Sequence, residues 1–353
     1  HTPLLSTLKY GFYAKIGHLR QKNRRNFTFG LLFDVIRRNL FAFMPRRIYN
    51  IYQSHNAKFL LNGEIMYDLI VNPHASRGKA RKKAARVIKM LEDKGVEFTA
   101  HFTTREKEAI EIAKKLSDEG ATDIIALGGD GTVNEVLNGI NPETVRLGII
   151  PSGTGNDFIA AAKIPADEKE ALDLILSGEA KETDYMVCGG VRGINVIGTG
   201  IDVDVLKRCK KAKIFKGKLQ YLIALISSLI HFRFYKFRIV RGETSEEREA
   251  LIACVGNGFR IGGGIKMCPK AVIDDGSLDF VIAGKLKKSR IPHAFIKLMQ
   301  GKILEQDFTT MESVDHVRIE FDEPVTIQID GELYDDIDFD LSLVRNGIRV
   351  YRP

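Results

Sequence analysis

The residues Leu127-Gly128-Gly129-Asp130-Gly131-Thr132-Val133-Asn134-Glu135 join a short apolar run to a helical pattern through three glycines. Glycines let a backbone approach an anion closely, and successive N–H groups at a helix N-terminus then face it. The whole string, at a strand end, favours a phosphate site over a plain strand–helix turn. Asp130 is a poor direct phosphate ligand; it suits holding the loop, a ribose hydroxyl or a metal-bound water. A second loop, Pro151-Ser152-Gly153-Thr154-Gly155-Asn156-Asp157-Phe158, also follows a strand and precedes a helical stretch. Thr154 can donate its hydroxyl to a phosphate. Asn156 or Asp157 can cap the next helix, and capping alone accounts for them. The third loop is Asn72-Pro73-His74-Ala75-Ser76-Arg77-Gly78, with main-chain N–H groups and the Ser76 hydroxyl on offer. Ser76 also reads as a helix cap, and His74 as a solvent-facing loop residue. Further on, Asp274-Asp275-Gly276 and Asp330-Gly331-Glu332 each read, taken alone, as turns between strands. No Gly-x4-Gly-Lys-Ser/Thr string is present, and Gly198-Thr199-Gly200 lacks the third glycine of a dinucleotide fingerprint. This is neither an ordinary P-loop NTPase nor an obvious dehydrogenase.

The elements that must carry these loops follow from periodicity. Tyr67–Val71, Val96–Phe102, Asp123–Leu127 and Arg146–Ile150 are strand candidates. Between the first two, Ala80, Ala84, Ala85, Val87, Ile88 and Leu91 recur at helical spacing. Between the next two, Ala109, Ile110, Ile112, Ala113 and Leu116 do the same, and Val133–Leu137 starts a third helix. Gly95 and Gly120 stop the first two helices. Strands alternating with helices indicate an α/β domain with a doubly wound parallel sheet, whose ligands sit beyond the carboxyl ends of the strands. From Thr183 to Asp340 the pattern changes to short β-like runs such as Phe237–Val240, Ala250–Val255, Leu278–Ile282, Val317–Phe321 and Val325–Ile329. This predicts an antiparallel all-β second domain interrupted by one apolar helix, about Leu219–Ile230. The expected organisation is an extension over 1–63, a nucleotide-binding domain over 64–182, a β-rich substrate domain over 183–340, and a final strand over 341–353 that can return to the first domain.

Composition sets the class. The chain has 353 residues, with 44% hydrophobic and 28% charged, which suits two globular domains. The four cysteines, Cys188, Cys209, Cys254 and Cys268, form no Cys-x-x-Cys pair, so neither a zinc site nor a disulfide framework is expected, and a reducing compartment is the easier reading. Residues 1–63 hold 11 Lys and Arg against the single acid Asp34, a net +10, and 11 of the 30 aromatics. The rest has 42 basic against 44 acidic residues. A basic, aromatic extension suits an anionic membrane surface or nucleic acid. Phe29–Phe43 could form an amphipathic surface helix, although Gly30 and Arg37-Arg38 interrupt it. No signal peptide and no apolar run of transmembrane length is seen. Lys207, Arg208, Lys210, Lys211, Lys213, Lys216 and Lys218 precede the apolar Leu219–Ile230 segment. A basic run beside an apolar helix suits docking on anionic lipid; it reads equally as a solvated loop beside a core helix.

As an ordered set, Asn72-Pro73, Gly128-Gly129-Asp130-Gly131-Thr132-x-Asn134-Glu135 and Gly153-Thr154-Gly155-Asn156-Asp157 resemble the diacylglycerol kinase catalytic-domain family, closest to the soluble bacterial diacylglycerol and lipid kinases. The resemblance continues through Asn257-Gly258, Gly262-Gly263-Gly264, Pro269-Lys270-Ala271, Asp274-Asp275-Gly276-x-Leu278-Asp279 and Asp330-Gly331-Glu332, over roughly 66–353. The Gly-Gly-Asp-Gly-Thr string by itself also occurs in NAD kinases and phosphofructokinases. Asn134-Glu135 and the Gly-Thr-Gly-Asn-Asp segment favour the lipid branch.

The resemblance implies an NAD kinase-like first domain with ATP as co-substrate. Its ATP-binding residues would be Asn72, Pro73, His74, Ala75, Ser76, Thr104, Gly129, Asp130, Gly131, Thr132, Val133, Asn134, Glu135 and Thr154. It implies a magnesium (Mg2+) site at Asp275, with main-chain oxygens of Val272 and Ser277. It places the catalytic base in the Asp330-Gly331-Glu332 triplet, at Glu332 with Asp330 as the alternative. The expected reaction is phosphorylation of diacylglycerol or a related lipid alcohol to phosphatidic acid or its analogue. The expected partners are the lipid and an anionic membrane surface, without nucleic acid; a homodimer is compatible with this reading. The expected location is cytoplasmic and peripheral at the membrane. The alternatives are an NAD kinase-like enzyme with a soluble substrate and a non-catalytic nucleotide- or lipid-binding module.

Overall fold

The structure is a computed structural model that describes residues 65–211 and 218–353. The 1–63 extension, including 29–43, and the lysines 213 and 216 lie outside the described residues.

Four strands, β1 (Tyr67–Val71), β2 (Phe98–Phe102), β3 (Asp123–Gly128) and β4 (Arg146–Pro151), pair in parallel in the order β2-β1-β3-β4. β1 and β3 are buried along their whole length, and β4 from its second residue on. That is why they read as unbroken apolar runs: helices cover both faces of a parallel sheet. α1 (Lys79–Asp93) buries Ala80, Ala84, Val87 and Leu91, one stripe at steps of four, three and four. α2 (Glu108–Asp118) buries Ala109, Ala113 and Leu116 in the same way. α3 (Asp130–Gly139), α4 (Asp157–Ala161) and α5 (Glu168–Ser177) complete this half.

The second half is antiparallel. β5 (Ala180–Cys188), β6 (Val191–Gly193), β7 (Val196–Gly200), β8 (Tyr235–Arg241), β9 (Thr244–Gly256), β10 (Leu278–Gly284), β11 (Thr309–Val314), β12 (His316–Phe321), β13 (Ile327–Ile329) and β14 (Glu332–Tyr334) lead to β15 (Phe339–Tyr351). β15 pairs antiparallel with β5 and β12, and its Arg349 and Val350 pair in parallel with Arg146 and Leu147 of β4. The last strand thus ties the antiparallel half to the parallel sheet.

Among the described residues three α-helices interrupt this half, where the sequence reading expects one: α6 (Ile201–Lys211), α7 (Lys218–Ile230) and α8 (Ile291–Met299). The Lys207–Lys211 run is therefore helical and not a loop. Acids Asp202 and Asp204 open α6, and Arg208, Lys210 and Lys211 close it, both favourable to the helix dipole. None of the described helices is long and apolar enough to cross a membrane. All four cysteines are free.

Candidate active site

The first two glycine loops are packed on each other and laced by one carboxylate. A Cβ on Gly129 would stand 3.1 Å from the Gly153 Cα, and one on Gly153 would stand 2.7 Å from the Gly129 Cα. Only glycine at both positions allows this approach. Asp130 opens α3, and its two oxygens accept from the main-chain N–H of Asn156 and of Asp157, each at 2.8 Å. Of the roles open to it from sequence, Asp130 holds the loop. Burial, with a further push from the Asp157 charge, raises its carboxyl to about 6, although the two N–H bonds pull the other way.

Asn156 does not cap α4 with its side chain. It adopts a left-handed φ of 52°, and its Oδ1 accepts from Gly153 N at 3.1 Å, closing the second loop on itself. Asp157 reaches across to the other half: its carboxylate accepts from Gly263 N at 2.8 Å and pairs with Arg260 Nε at 3.1 Å. Arg260 also donates to the Asn156 carbonyl at 2.9 Å. Capping therefore does not account for Asn156 or Asp157. Arg260 was not singled out from sequence; its only signal was its place between Asn257-Gly258 and Gly262-Gly263-Gly264.

The third loop joins the same set. Ser76, at φ 49°, does not cap a helix but donates its hydroxyl to the Ser152 carbonyl. Asn72 Nδ2 donates to Thr132 Oγ1 at 3.2 Å, and Asn72 Oδ1 accepts from His74 N at 3.0 Å. Pro73, the exposed His74, Arg81, Phe102 and Thr104 line a depression beyond the ends of β1 and β2. Thr104 donates its hydroxyl to Glu108 at 2.9 Å, and Glu135 accepts from Ala109 N at 3.3 Å. Both contacts secure the start of α2, and burial raises the Glu135 carboxyl.

A cleft of ≈ 240 Å³ lies between the glycine loops and the antiparallel half, lined by Asp130, Val133, Thr154, Asp157, Asp330 and Gly331 among others. The two carboxylates of the Asp330-Gly331-Glu332 turn differ in kind. Asp330, at φ 50°, accepts from the N–H groups of Ile194 (2.8 Å), Asn195 (2.9 Å) and Val196 (3.1 Å), and from Asn134 Nδ2 at 2.9 Å. Its oxygens are occupied, and burial still outweighs these bonds and raises its carboxyl. Glu332 is 43% exposed at its side chain and pairs with Lys210 Nζ at 3.2 Å. A Cβ on Gly131 would stand 3.7 Å from Glu332 Oε1, so this carboxylate faces the first turn of α3.

Val272, Asp275 and Ser277 lie on a different turn and are not among the residues lining the cleft. Asp275 Oδ1 accepts from Ser277 N at 3.0 Å. Asp184 anchors the turn to β5 and β15 by accepting from Gly276 N at 2.8 Å and Asn346 N at 2.6 Å. Beside it, Asp279 Oδ2 is buried without a hydrogen-bond partner, and burial with the Asp275 charge raises that carboxyl to about 6. The Asp275 carboxylate, with an orphaned acceptor nearby, has the oxygen chemistry that a hard, partly hydrated divalent cation takes. No cluster of three His, Cys, Asp or Glu that could hold a metal occurs among the described residues.

Residues 67–188 match the diacylglycerol kinase catalytic domain, and residues 195–352 match the YegS C-terminal NAD kinase beta sandwich-like domain. A diacylglycerol kinase of Bacillus subtilis (strain 168) is 30% identical over 271 residues, covering 75% of this chain and 88% of that protein. One of Staphylococcus carnosus (strain TM300) is 27% identical over 288 residues, covering 81% and 94%. The crystal structure of a diacylglycerol kinase from Bacillus anthracis str. Sterne superposes with a TM-score of 0.64 at 23% identity, over 82% of this chain and 97% of that one, a likeness of fold. Two glycine loops locked by Asp130, a carboxylate turn facing them across a cleft, and these likenesses along 67–352 place the chain among the enzymes of the diacylglycerol kinase family.

Proposed function

We propose that the cleft transfers the γ-phosphoryl group of ATP to the hydroxyl of diacylglycerol or a related lipid alcohol, giving phosphatidic acid or its analogue. The observation that carries this reading is the facing of Glu332 and Gly131. The phosphates of ATP lie on the N–H groups of Gly129–Thr132 and on Thr154, at the N-terminus of α3, where the helix dipole and main-chain donors favour negative charge. Pro73, His74 and Thr104 border the depression beside Phe102, which receives the nucleoside. Glu332 then stands where an acceptor hydroxyl approaches the terminal phosphate and takes its proton as the new O–P bond forms. Asp330 is a positioning residue, since its oxygens are filled by four donors.

Val272, Asp275 and Ser277 would hold magnesium. When bound, the ion supplies positive charge to the turn that Asp184 anchors.

The lipid reading also has a surface to support it. α7 exposes Leu219, Ile223, Ile226 and Ile230 on one face, and the preceding α6 ends in Lys207, Arg208, Lys210 and Lys211. Apolar side chains beside cations suit the peripheral docking of an enzyme on anionic lipid.

The test is radiolabelled ATP with magnesium and a panel of lipid alcohols in mixed micelles, with NAD alongside. Label in a phosphorylated lipid is the expected result. Label in NAD alone, or nucleotide and lipid binding without transfer, would replace this reading by one of the two alternatives.

A further inference from the structure

The cleft is short of positive charge for a site that takes a polyphosphate. Among the described residues that line it, four are aspartates, Asp130, Asp157, Asp202 and Asp330, and none is Lys, Arg or His. Burial raises the carboxyls of Asp130, Asp202 and Asp330, which eases their conflict with a polyanion but supplies no cation. Arg260, beside the cleft, is committed elsewhere: it pairs with Asp157 at 3.1 Å and donates to the Asn156 carbonyl at 2.9 Å. Phosphoryl transfer spreads negative charge over three oxygens, and catalysis rests mainly on groups that neutralise it.

α6 brings one cation to this cleft. Asp202, Leu206 and Lys210 follow each other at four-residue steps and so share a face of the helix. Asp202 and Leu206 line the cleft. One turn further on, Lys210 reaches the Asp330–Glu332 turn, where its Nζ pairs with Glu332 Oε2 at 3.2 Å. The other oxygen of that carboxylate, Oε1, would stand 3.7 Å from a Cβ on Gly131, in the first turn of α3. A single carboxylate thus links the ammonium to the glycine loop. The neighbouring cations are turned elsewhere: Lys207 donates to Thr326 Oγ1 at 2.7 Å, and Arg208 to Ser227 Oγ at 3.1 Å. The Lys210 and Glu332 side chains are 55% and 43% exposed, and an ion pair in that setting adds little stability and is easily given up.

Resting on the kinase reading above, we infer that Lys210 is a further catalytic residue, which binds the terminal phosphate and neutralises the phosphoryl group in transfer. The acceptor oxygen attacks phosphorus, the bond from phosphorus to the ADP oxygen breaks, and the acceptor proton passes to Glu332. Protonated Glu332 loses its charge and with it its hold on Lys210, just as negative charge gathers on the phosphoryl oxygens. The ammonium then passes from the carboxylate to the phosphate. This role is additional to lipid docking by the end of α6, and a soluble acceptor separates the two.

The test uses the full chain, Lys210→Met and Lys210→Arg, with magnesium and a short-chain diacylglycerol below its micellar concentration, so that surface docking does not enter. In Lys210→Met, kcat should fall at least about 10²-fold, the lower figure for losing one preorganised transition-state donor. Lys210→Arg keeps the charge and should recover most of that loss. By calorimetry, Lys210→Met should bind a non-hydrolysable ATP analogue about tenfold more weakly, the usual effect of losing a charged hydrogen bond, with ADP affinity unchanged because ADP lacks the terminal phosphate. Adding Lys210→Met to Glu332→Gln should lower activity beyond Glu332→Gln alone. No further loss in that double variant would mean that Lys210 acts only by placing the base, and overturns the inference. So does a kcat at or above the wild-type value, or an unchanged analogue affinity, in Lys210→Met. A full chain that binds the analogue through Lys210 but phosphorylates no lipid alcohol would keep the contact and overturn the kinase reading instead.

Discussion

Asn134 Nδ2 donates to Asp330 Oδ2 at 2.9 Å, joining the helix that leaves the first glycine loop to the turn that carries Glu332, across 196 residues of sequence. The same amide donates to the Arg192 carbonyl at 3.0 Å. One side chain thus sets the spacing between the phosphate-binding end of α3 and the carboxylate opposite it. Asn134→Ala is expected to cost about 1–3 kcal/mol, the usual consequence of stripping a partner from buried acceptors. Urea unfolding measures that loss. The kcat should fall as well, because the Asp330–Glu332 turn loses its link to α3, while KM for ATP changes less. An unchanged kcat in a destabilised variant would show that Glu332 keeps its place without the link.

Gly153 offers a purely steric test of the two-loop arrangement. Gly153→Ala puts a methyl group 2.7 Å from the Gly129 Cα and 2.6 Å from Asn156 Oδ1. The Asn156 amide can turn aside, but the Gly129 backbone cannot, so the loops must part. Overpacking of this kind costs typically 1–3 kcal/mol. ATP binding by titration calorimetry should weaken at least tenfold, because separated loops no longer present their N–H groups to one anion. Gly78→Ala is the control: it has nothing within 4 Å, and its φ of +81° confines the penalty to local strain. Equal ATP affinity in Gly153→Ala and the wild type would refute the shared anion site.

Much of this was legible in the sequence, for definite reasons. β1, β3 and β4 are buried on both faces and so read as apolar runs, and the glycine loops stand at their ends. α6 was hidden because Ile201-Asp202-Val203-Asp204-Val205 alternates apolar and acidic residues, the period of a strand, yet folds as the start of a helix. α8 was hidden because it is nine residues long, has a proline in its first turn and buries its apolar side chains only in part. Asp157 looked like a helix cap because its partners, Arg260 and Gly263, are about a hundred residues further on, and only the fold brings them to it. Likewise, nothing local distinguishes Asp330 from Glu332; the three N–H groups that fill Asp330 come from residues 194–196.

The titration of Asp130 gives a signed pH effect. Its ordinary value is 3.8 and burial raises it to about 6, so the folded state holds the proton more tightly than the unfolded one. The associated stability is present below about 4 and lost as pH rises through about 6; two units correspond to roughly 3 kcal/mol. Asp130→Asn removes this term but leaves one of the N–H groups of Asn156 and Asp157 facing an amide donor. The variant should therefore be less stable than wild type at pH 5, with the gap narrowing at pH 8. Urea midpoints at the two values decide it. The other raised carboxyls, Glu135, Asp202, Asp279 and Asp330, are present in both proteins. A gap that widens with pH would mean that the two N–H bonds outweigh burial at this carboxylate.

The assignment of the base can be separated from the integrity of its turn. Glu332→Gln keeps the shape but removes the charge and the proton acceptor, on a side chain that is 43% exposed and paired with Lys210. Stability should hardly change, and kcat should fall about 10²- to 10⁴-fold, the usual size of general-base loss, with KM for ATP nearly constant. Asp330→Asn is expected to behave differently. An amide cannot accept from three main-chain N–H groups and Asn134 as the carboxylate does, so this variant should lose stability and kcat together. Raising the pH distinguishes the two further. A stronger alkaline rescue in Glu332→Gln is expected, because hydroxide or a more readily ionised acceptor substitutes for a missing base and does not rebuild a collapsed turn. A stable Asp330→Asn without activity, beside a nearly active Glu332→Gln, would move the base to Asp330 and require its four hydrogen bonds to open during turnover.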